Sequence, residues 1–105
     1  MRLSPLESEA LGLFRARLAS RFGARLAGVT LFGSRARGEG HEASDLDVLV
    51  QVRALTPAER RAVIDDAYTI ELSHGARIEP LVRDADGAAL GGLLAQAIAQ
   101  EGVRL

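Results

Sequence analysis

Asp45 and Asp47 flank Leu46 at the head of an apolar run, Leu46-Asp47-Val48-Leu49-Val50-Gln51-Val52. Side chains alternate along a strand, so residues two apart share a face. At a rise of ~3.3 Å per residue their Cα atoms stand about 6.6 Å apart. Two carboxylates converging from that separation can share a divalent cation. Mg²⁺ takes hard oxygen ligands in an octahedron and keeps positions for water and phosphate oxygens. A pair of such ions about 4 Å apart stabilises both the attacking and the leaving oxygen of an in-line displacement. Leu46 points the opposite way and anchors the pair in apolar packing. An isolated Asp-x-Asp is more often a loop-mouth pair that caps its own backbone. The chemistry therefore has to be argued from what surrounds it.

The preceding segment supplies that argument. Gly33-Ser34-Arg35-Ala36-Arg37-Gly38 follows directly on a short apolar stretch, and Ser44 leads into the aspartates. Glycine lets the backbone approach a phosphate with no Cβ in the way. Ser34 offers a hydroxyl beside N–H groups able to form an anion-binding concavity, and the spacing allows a short helix to start there. Arg35 and Arg37 carry guanidinium forks suited to phosphate oxygens. Each feature alone reads as an ordinary turn or as solvated charge; together they predict a phosphate-binding turn facing a metal-binding carboxylate pair. A two-metal site calls for one more acid. Glu79 is the one acid within the third predicted strand, and a neighbouring strand lies only ~4.8 Å away. It is either a third ligand, or a base for an incoming hydroxyl, or an edge-strand surface residue. His41 and His74 read as a polar loop residue and a helix C-terminal residue.

The elements that must position these groups are legible as helices and strands in alternation. Ser4-Pro5-Leu6-Glu7 carries an N-cap, a first-turn proline and a capping-box acid. Leu6, Ala10, Leu11, Phe14, Leu18 and Phe22 then recur at helical spacing up to Gly23. Leu26 to Phe32 reads as a strand, and Leu46 to Val52 as a strand apolar enough to be central in a sheet. Thr56-Pro57-Ala58-Glu59 repeats the first helix signature. It predicts a helix to about Ser73, with Ala58, Val63, Ala67, Ile70 and Leu72 inward and His74-Gly75 as its end. Arg77 to Val82 is the third strand, shortened or edged by Pro80. Asp84 or Asp86 is expected to cap a last helix with Leu90, Leu93, Leu94, Ala97 and Ile98 as its stripe. The Gly91-Gly92 pair weakens that helix by ~1 kcal/mol per glycine. The expected fold class is α/β (α+β), a small mixed sheet flanked by helices.

The bulk properties bound the function. The 105 residues fit a single domain spanning 1–105. A domain so short is only modestly stable, and an oligomer or heterocomplex would support it. The formal net charge of −1 argues against holding nucleic acid by bulk electrostatics. The absence of cysteine excludes disulfides and thiolate metal sites. No apolar stretch reaches the ~20 residues that span a membrane, and the first residues lack a signal-peptide core. The expectation is a cytoplasmic protein without membrane attachment.

Gly33-Ser34-x-Ala36-Arg37-Gly38 followed by Ser44-Asp45-Leu46-Asp47-Val48 resembles the minimal nucleotidyltransferases (MNT proteins) of the DNA polymerase beta superfamily. The resemblance implies a polymerase-beta-like palm, ATP as nucleotide donor and Mg²⁺. It implies that Asp45 and Asp47 are the catalytic metal-binding pair, that Gly33 and Ser34 form the triphosphate-binding turn, and that Glu79 occupies the place of a third carboxylate that is commonly aspartate. It further implies a partner. Many members this short are antitoxins that attach AMP to a tyrosine of a HEPN-domain RNase toxin. A catalytically weak module that neutralises such a partner by docking is the alternative. An aminoglycoside-type transferase and a sequence-specific DNA-binding protein are less in keeping with the missing acceptor domain and with the charge balance.

Overall fold

The computed structural model describes residues 3–38, 45–87 and 91–105. The chain opens with helix α1 (Pro5–Phe22), followed by a 3-10 turn (Gly23–Arg25) and strand β1 (Leu26–Phe32). Strand β2 (Leu46–Val52), helix α2 (Pro57–His74), strand β3 (Ile78–Asp84), helix α3 (Gly92–Glu101) and the two-residue β4 (Val103–Arg104) complete it. Both long helices start where the sequence places their caps. Ser4 Oγ accepts from the Glu7 N–H at 3.1 Å while Glu7 accepts from the Ser4 N–H at 2.9 Å. Thr56 and Glu59 repeat the exchange at 3.2 and 3.0 Å. Each box satisfies two of the N–H groups that a helix start leaves without partners. Gly75 closes α2 in the left-handed conformation, donating to the Glu71 carbonyl at 2.8 Å.

The sheet order is β3-β2-β1-β4. β1 pairs antiparallel with β2 and β4, and β2 pairs parallel with β3 through the α2 crossover. The sheet is thus mixed and flanked by helices, and β2 is a central strand as its apolar content requires. Alternation divides β2 between two faces. Leu46, Val48, Val50 and Val52 are fully buried in one cluster with Phe14 and Leu18 of α1 and Val63 and Ile70 of α2. Asp47 and Gln51 lie on the opposite face and are half-buried. Helices α1 and α2 therefore cover one side of the sheet, and Asp47 lies on the other.

Two polar ties join the layers. Asp66 of α2, buried, accepts from Arg17 at 3.1 Å and from Arg21 at 2.9–3.0 Å, both on α1. At the outer strand β3, Pro80 offers no N–H, and the Arg60 guanidinium on α2 donates to the Val82 carbonyl.

Several expectations are corrected. Leu72 and Ala58 face outward, Leu72 at 70 % exposure. The buried row of α2 is Val63, Asp66, Ala67 and Ile70. Leu72 lies two residues past Ile70, about 200° round a helix of 3.6 residues per turn. Leu6 is exposed as well, because the inward position in the first turn of α1 belongs to Glu7, which is 5 % exposed. β3 begins one residue later and ends two residues later than expected, so Pro80 edges it without shortening it. Neither Asp84 nor Asp86 caps α3: its N-cap is Gly91, with no side-chain hydrogen bond. Asp86 instead accepts from the Ala54 N–H at 2.8 Å. Leu93 is 84 % exposed, so the expected stripe does not enter the core; Leu90 lies outside the described residues. The two-residue β4 has no signal in the sequence, since two residues carry no readable period.

Candidate active site

The end of β1 and the start of β2 meet at the site. Phe32 stands opposite Asp47 in the antiparallel register, and Gly33 turns the chain away at φ +79°. That conformation favours glycine. A second constraint is steric: a Cβ on Gly33 would stand 2.5 Å from Asp47 Oδ2. The glycine is required because its backbone lies against the carboxylate. Residues 34–38 continue as turns rather than the short helix allowed for, closed by Arg37 N–H to Gly33 O and Gly38 N–H to Arg35 O, both 3.3 Å. Ala36 is buried and fixes the turn to the core.

Asp45 precedes β2 and Asp47 is its second residue, with the fully buried Leu46 between them. Leu46 donates its N–H to the Arg77 carbonyl at 2.9 Å, which ties this end of β2 to the entry of β3. Burial pushes the Asp47 pKa above the usual carboxylate value, and the charge of Asp45 pushes it further. Two acids that repel in this way are an arrangement a divalent cation relieves, so the donor set fits a hard metal ion. Glu79, exposed on β3, stands in parallel register with Asp47. Register brings the two to adjacent positions on one face, but among the described residues no three acidic or histidine side chains converge closely enough to hold a metal. Asp45 and Asp47 are thus brought together; Glu79 is a neighbour that does not close on them here.

The two arginines expected at a phosphate each make an ion pair. Arg35, only 3 % exposed, donates to Glu7 Oε1 at 2.6 Å. Arg37 donates to Glu101 at the end of α3 at 3.0 Å. Arg35 thereby links the glycine turn to the first turn of α1. Ser34 is half-buried within the turn. Ser44 and His41 lie outside the described residues. His74, at the end of α2, sits 3.6 Å from Glu9 and 2.7 Å from Ser73 Oγ.

Sequence reasoning missed two residues. Arg77 Nε lies 3.9 Å from Asp45 Oδ1 and donates to Glu71 of α2 at 3.0 Å. Nothing in the motif marks it, although its place at the entry of β3 puts it beside the aspartates. For Glu7 the signal is its place: a capping-box acid on the inward face of an amphipathic helix requires a buried partner.

Residues 11–85 match the family model of the nucleotidyltransferase domain. A search of curated proteins gives no significant match. Among solved structures, one assigned as a minimal nucleotidyltransferase is 28 % identical with a TM-score of 0.63, covering 100 % of this chain and 97 % of the other. A toxin–antitoxin structure with AMP-PNP is 21 % identical with a TM-score of 0.59, covering 87 % of this chain and 68 % of the other. A complex of tri-AMPylated Shewanella oneidensis HEPN toxin with MNT antitoxin is 17 % identical with a TM-score of 0.54, covering 94 % and 67 %. At those two identities the likeness is one of fold.

Proposed function

The chain belongs to the nucleotidyltransferase domain family, and from that premise we propose that it moves AMP from ATP to a tyrosine hydroxyl of a partner protein in a Mg²⁺-dependent reaction. The partner we infer is a HEPN-domain toxin, silenced in the cytoplasm by this chain acting as its antitoxin. One observation carries the reading: the Gly33 backbone packs directly on Asp47, with Asp45 beside it. Phosphate-binding turn and metal-binding acids thereby form one surface. The fold relatives, a toxin–antitoxin structure with AMP-PNP and an AMPylated toxin with its antitoxin, support the choice of nucleotide and partner.

In this scheme Asp45 and Asp47 hold Mg²⁺, and Glu79 beside them serves as third ligand or as acceptor of the hydroxyl proton. Bound metal, in the two-ion form of this chemistry, stabilises the attacking and leaving oxygens. Gly33 and Ser34 present backbone and hydroxyl to the triphosphate. Arg35 holds that turn in place through Glu7, and Arg37 borders it. The acceptor oxygen bonds to the α-phosphorus as the bond from that phosphorus to pyrophosphate breaks. Pyrophosphate leaves with the electron pair.

Mass spectrometry of a co-expressed HEPN-domain partner tests this. AMP-sized additions are expected with the natural chain and none with Asp47→Ala, whose thermal melt stays cooperative. Undiminished AMP addition by Asp47→Ala overturns the assignment. A second reading, neutralisation by docking alone, is favoured by the open spacing of Glu79 from the aspartates. An inhibited but unmodified partner is its expected signature.

A further inference from the structure

The guanidinium of Arg77 stands in the field of three carboxylates. Its Nε–H donates to Glu71 Oε1 of α2 at 3.0 Å and lies 3.9 Å from Asp45 Oδ1. Glu79 adds its charge from β3. The backbone sets where this cation sits. The Arg77 carbonyl accepts from the Leu46 N–H at 2.9 Å, and Leu46 is the residue between the two aspartates. The root of the side chain is thereby tied to the strand that carries the acids. Glu71 is fixed in turn at the end of α2, where the Gly75 N–H closes on its carbonyl at 2.8 Å. The hydrogen bond to Glu71, with the charges of Glu71, Asp45 and Glu79, pushes the Arg77 pKa above the usual arginine value. Its positive charge is permanent at any working pH.

The two close contacts differ in kind. The one to Glu71 has hydrogen-bond length, and that side chain is only 28 % exposed. The one to Asp45 is longer than a hydrogen bond and joins side chains 61 and 41 % exposed. Arg77 is anchored on α2 and leaves the Asp45 carboxylate able to take another ligand, yet within reach of its charge. That charge acts with opposite sign on the two forms in which a divalent ion arrives. A bare ion is positive and is repelled. An ion already complexed by a triphosphate is net negative and is attracted. A tie that served only to join α2 to β3 would need Glu71 and would gain nothing from Asp45.

We propose that Arg77 is a specificity-determining residue of the carboxylate pair: it weakens the hold of Asp45 and Asp47 on a bare divalent ion and strengthens their hold on one that arrives with a triphosphate. The proposal rests on the nucleotidyl-transfer reading above, in which the two aspartates hold Mg²⁺. The pair then does not fill from free Mg²⁺, and ion and triphosphate favour each other's binding. Glu71 acts at one remove, as the positioning residue that keeps the guanidinium beside Asp45 without closing on it.

The test uses the full chain with Mn²⁺ as a paramagnetic probe for Mg²⁺. Free Mn²⁺ is read by electron paramagnetic resonance, with and without AMP-PNP, a non-hydrolysable ATP analogue. Arg77→Gln keeps the carbonyl that holds Leu46 and removes the charge. It is expected to bind bare Mn²⁺ about tenfold tighter, the low end of what one charge at this range does to the proton affinity of a carboxylate. Its affinity for AMP-PNP in the presence of Mn²⁺ falls by about the same factor. Arg77→Lys keeps the charge without the planar fork and restores both affinities to within about threefold. Thermal melts in EDTA check the fold of each variant. A purely structural role lowers the melt and moves both affinities in the same direction, and that result overturns the proposal. So does an unchanged Mn²⁺ affinity in Arg77→Gln, or a pair of opposed shifts that Arg77→Lys fails to restore. A natural chain that binds Mn²⁺ no better than Asp47→Ala, with or without AMP-PNP, overturns the reading beneath the proposal and the proposal with it.

Discussion

Arg35→Met removes one half of the ion pair between the glycine turn and α1. The two side chains are 4 and 7 % exposed and 2.6 Å apart, so Glu7 is left as a buried charge without its cation. Breaking such a pair from one side costs about 3–5 kcal/mol. A domain of this length holds only about 5–15 kcal/mol in all. At about 4–8 °C per kcal/mol, the melting temperature falls by roughly 12–40 °C. The pH dependence carries a sharper signature. Burial alone would raise the Glu7 pKa, but the hydrogen bond from Arg35, helped by that from the Ser4 N–H, outweighs it and holds it below 4.5. Its contribution is full above pH 4.5 and is lost as pH falls through the lowered folded value. In Arg35→Met the burial effect prevails, the folded value rises above the unfolded one, and the variant gains stability on acidification where the natural chain loses it. Adding Glu7→Gln to Arg35→Met keeps the capping oxygen, removes the stranded charge and restores most of the loss. Urea titrations of the four proteins at pH 4 and pH 7 measure all of this. A loss under about 1 kcal/mol for Arg35→Met, or a double variant as unstable as the sum of the singles, refutes the reasoning.

Gly33→Ala forces a left-handed backbone on a residue with a Cβ, at about 1–2 kcal/mol, and displaces the Asp47 carboxylate from 2.5 Å away; an unchanged urea midpoint together with unchanged Mg²⁺-dependent ATP binding contradicts this. Asp47→Asn raises the melting temperature in EDTA at pH 7, because burial and Asp45 lift the folded pKa of Asp47 above 3.8 and its ionised form opposes folding. That gain shrinks as pH falls through the folded value toward 3.8, and an Asn variant no more stable than the natural chain in EDTA at neutral pH argues against it.

The parts legible in the sequence were those whose signal is local. Gly33, Asp45 and Asp47 announce themselves through residue type and spacing, and β2 through its apolar run. Both capping boxes were readable from four residues each. The parts that were not legible depend on partners far apart in sequence. The ion pair of Arg35 is one of these, because the acid it meets is 28 positions away on α1. Arg77 became part of the site only through the parallel pairing of β2 and β3, which the sequence does not specify residue by residue. Leu72 and Leu93 carried the hydrophobicity of core residues, but the rotation of α2 and the start of α3 are set by packing, and both were left outside.

Both borders of the sheet are poor templates for growth. Along β3, Pro80 withholds a donor and Arg60 occupies an acceptor. On the other side β4 gives β1 only two paired residues, and Leu105 extends the cover with an N–H to the Val29 carbonyl at 2.8 Å. An exposed strand with free donors and acceptors recruits copies of itself into fibres. Here that route is obstructed at the flank nearest the aspartates, so the exposed apolar side chains Ile64, Tyr68 and Leu72 of α2 are carried on a fold whose outer strand resists lengthening.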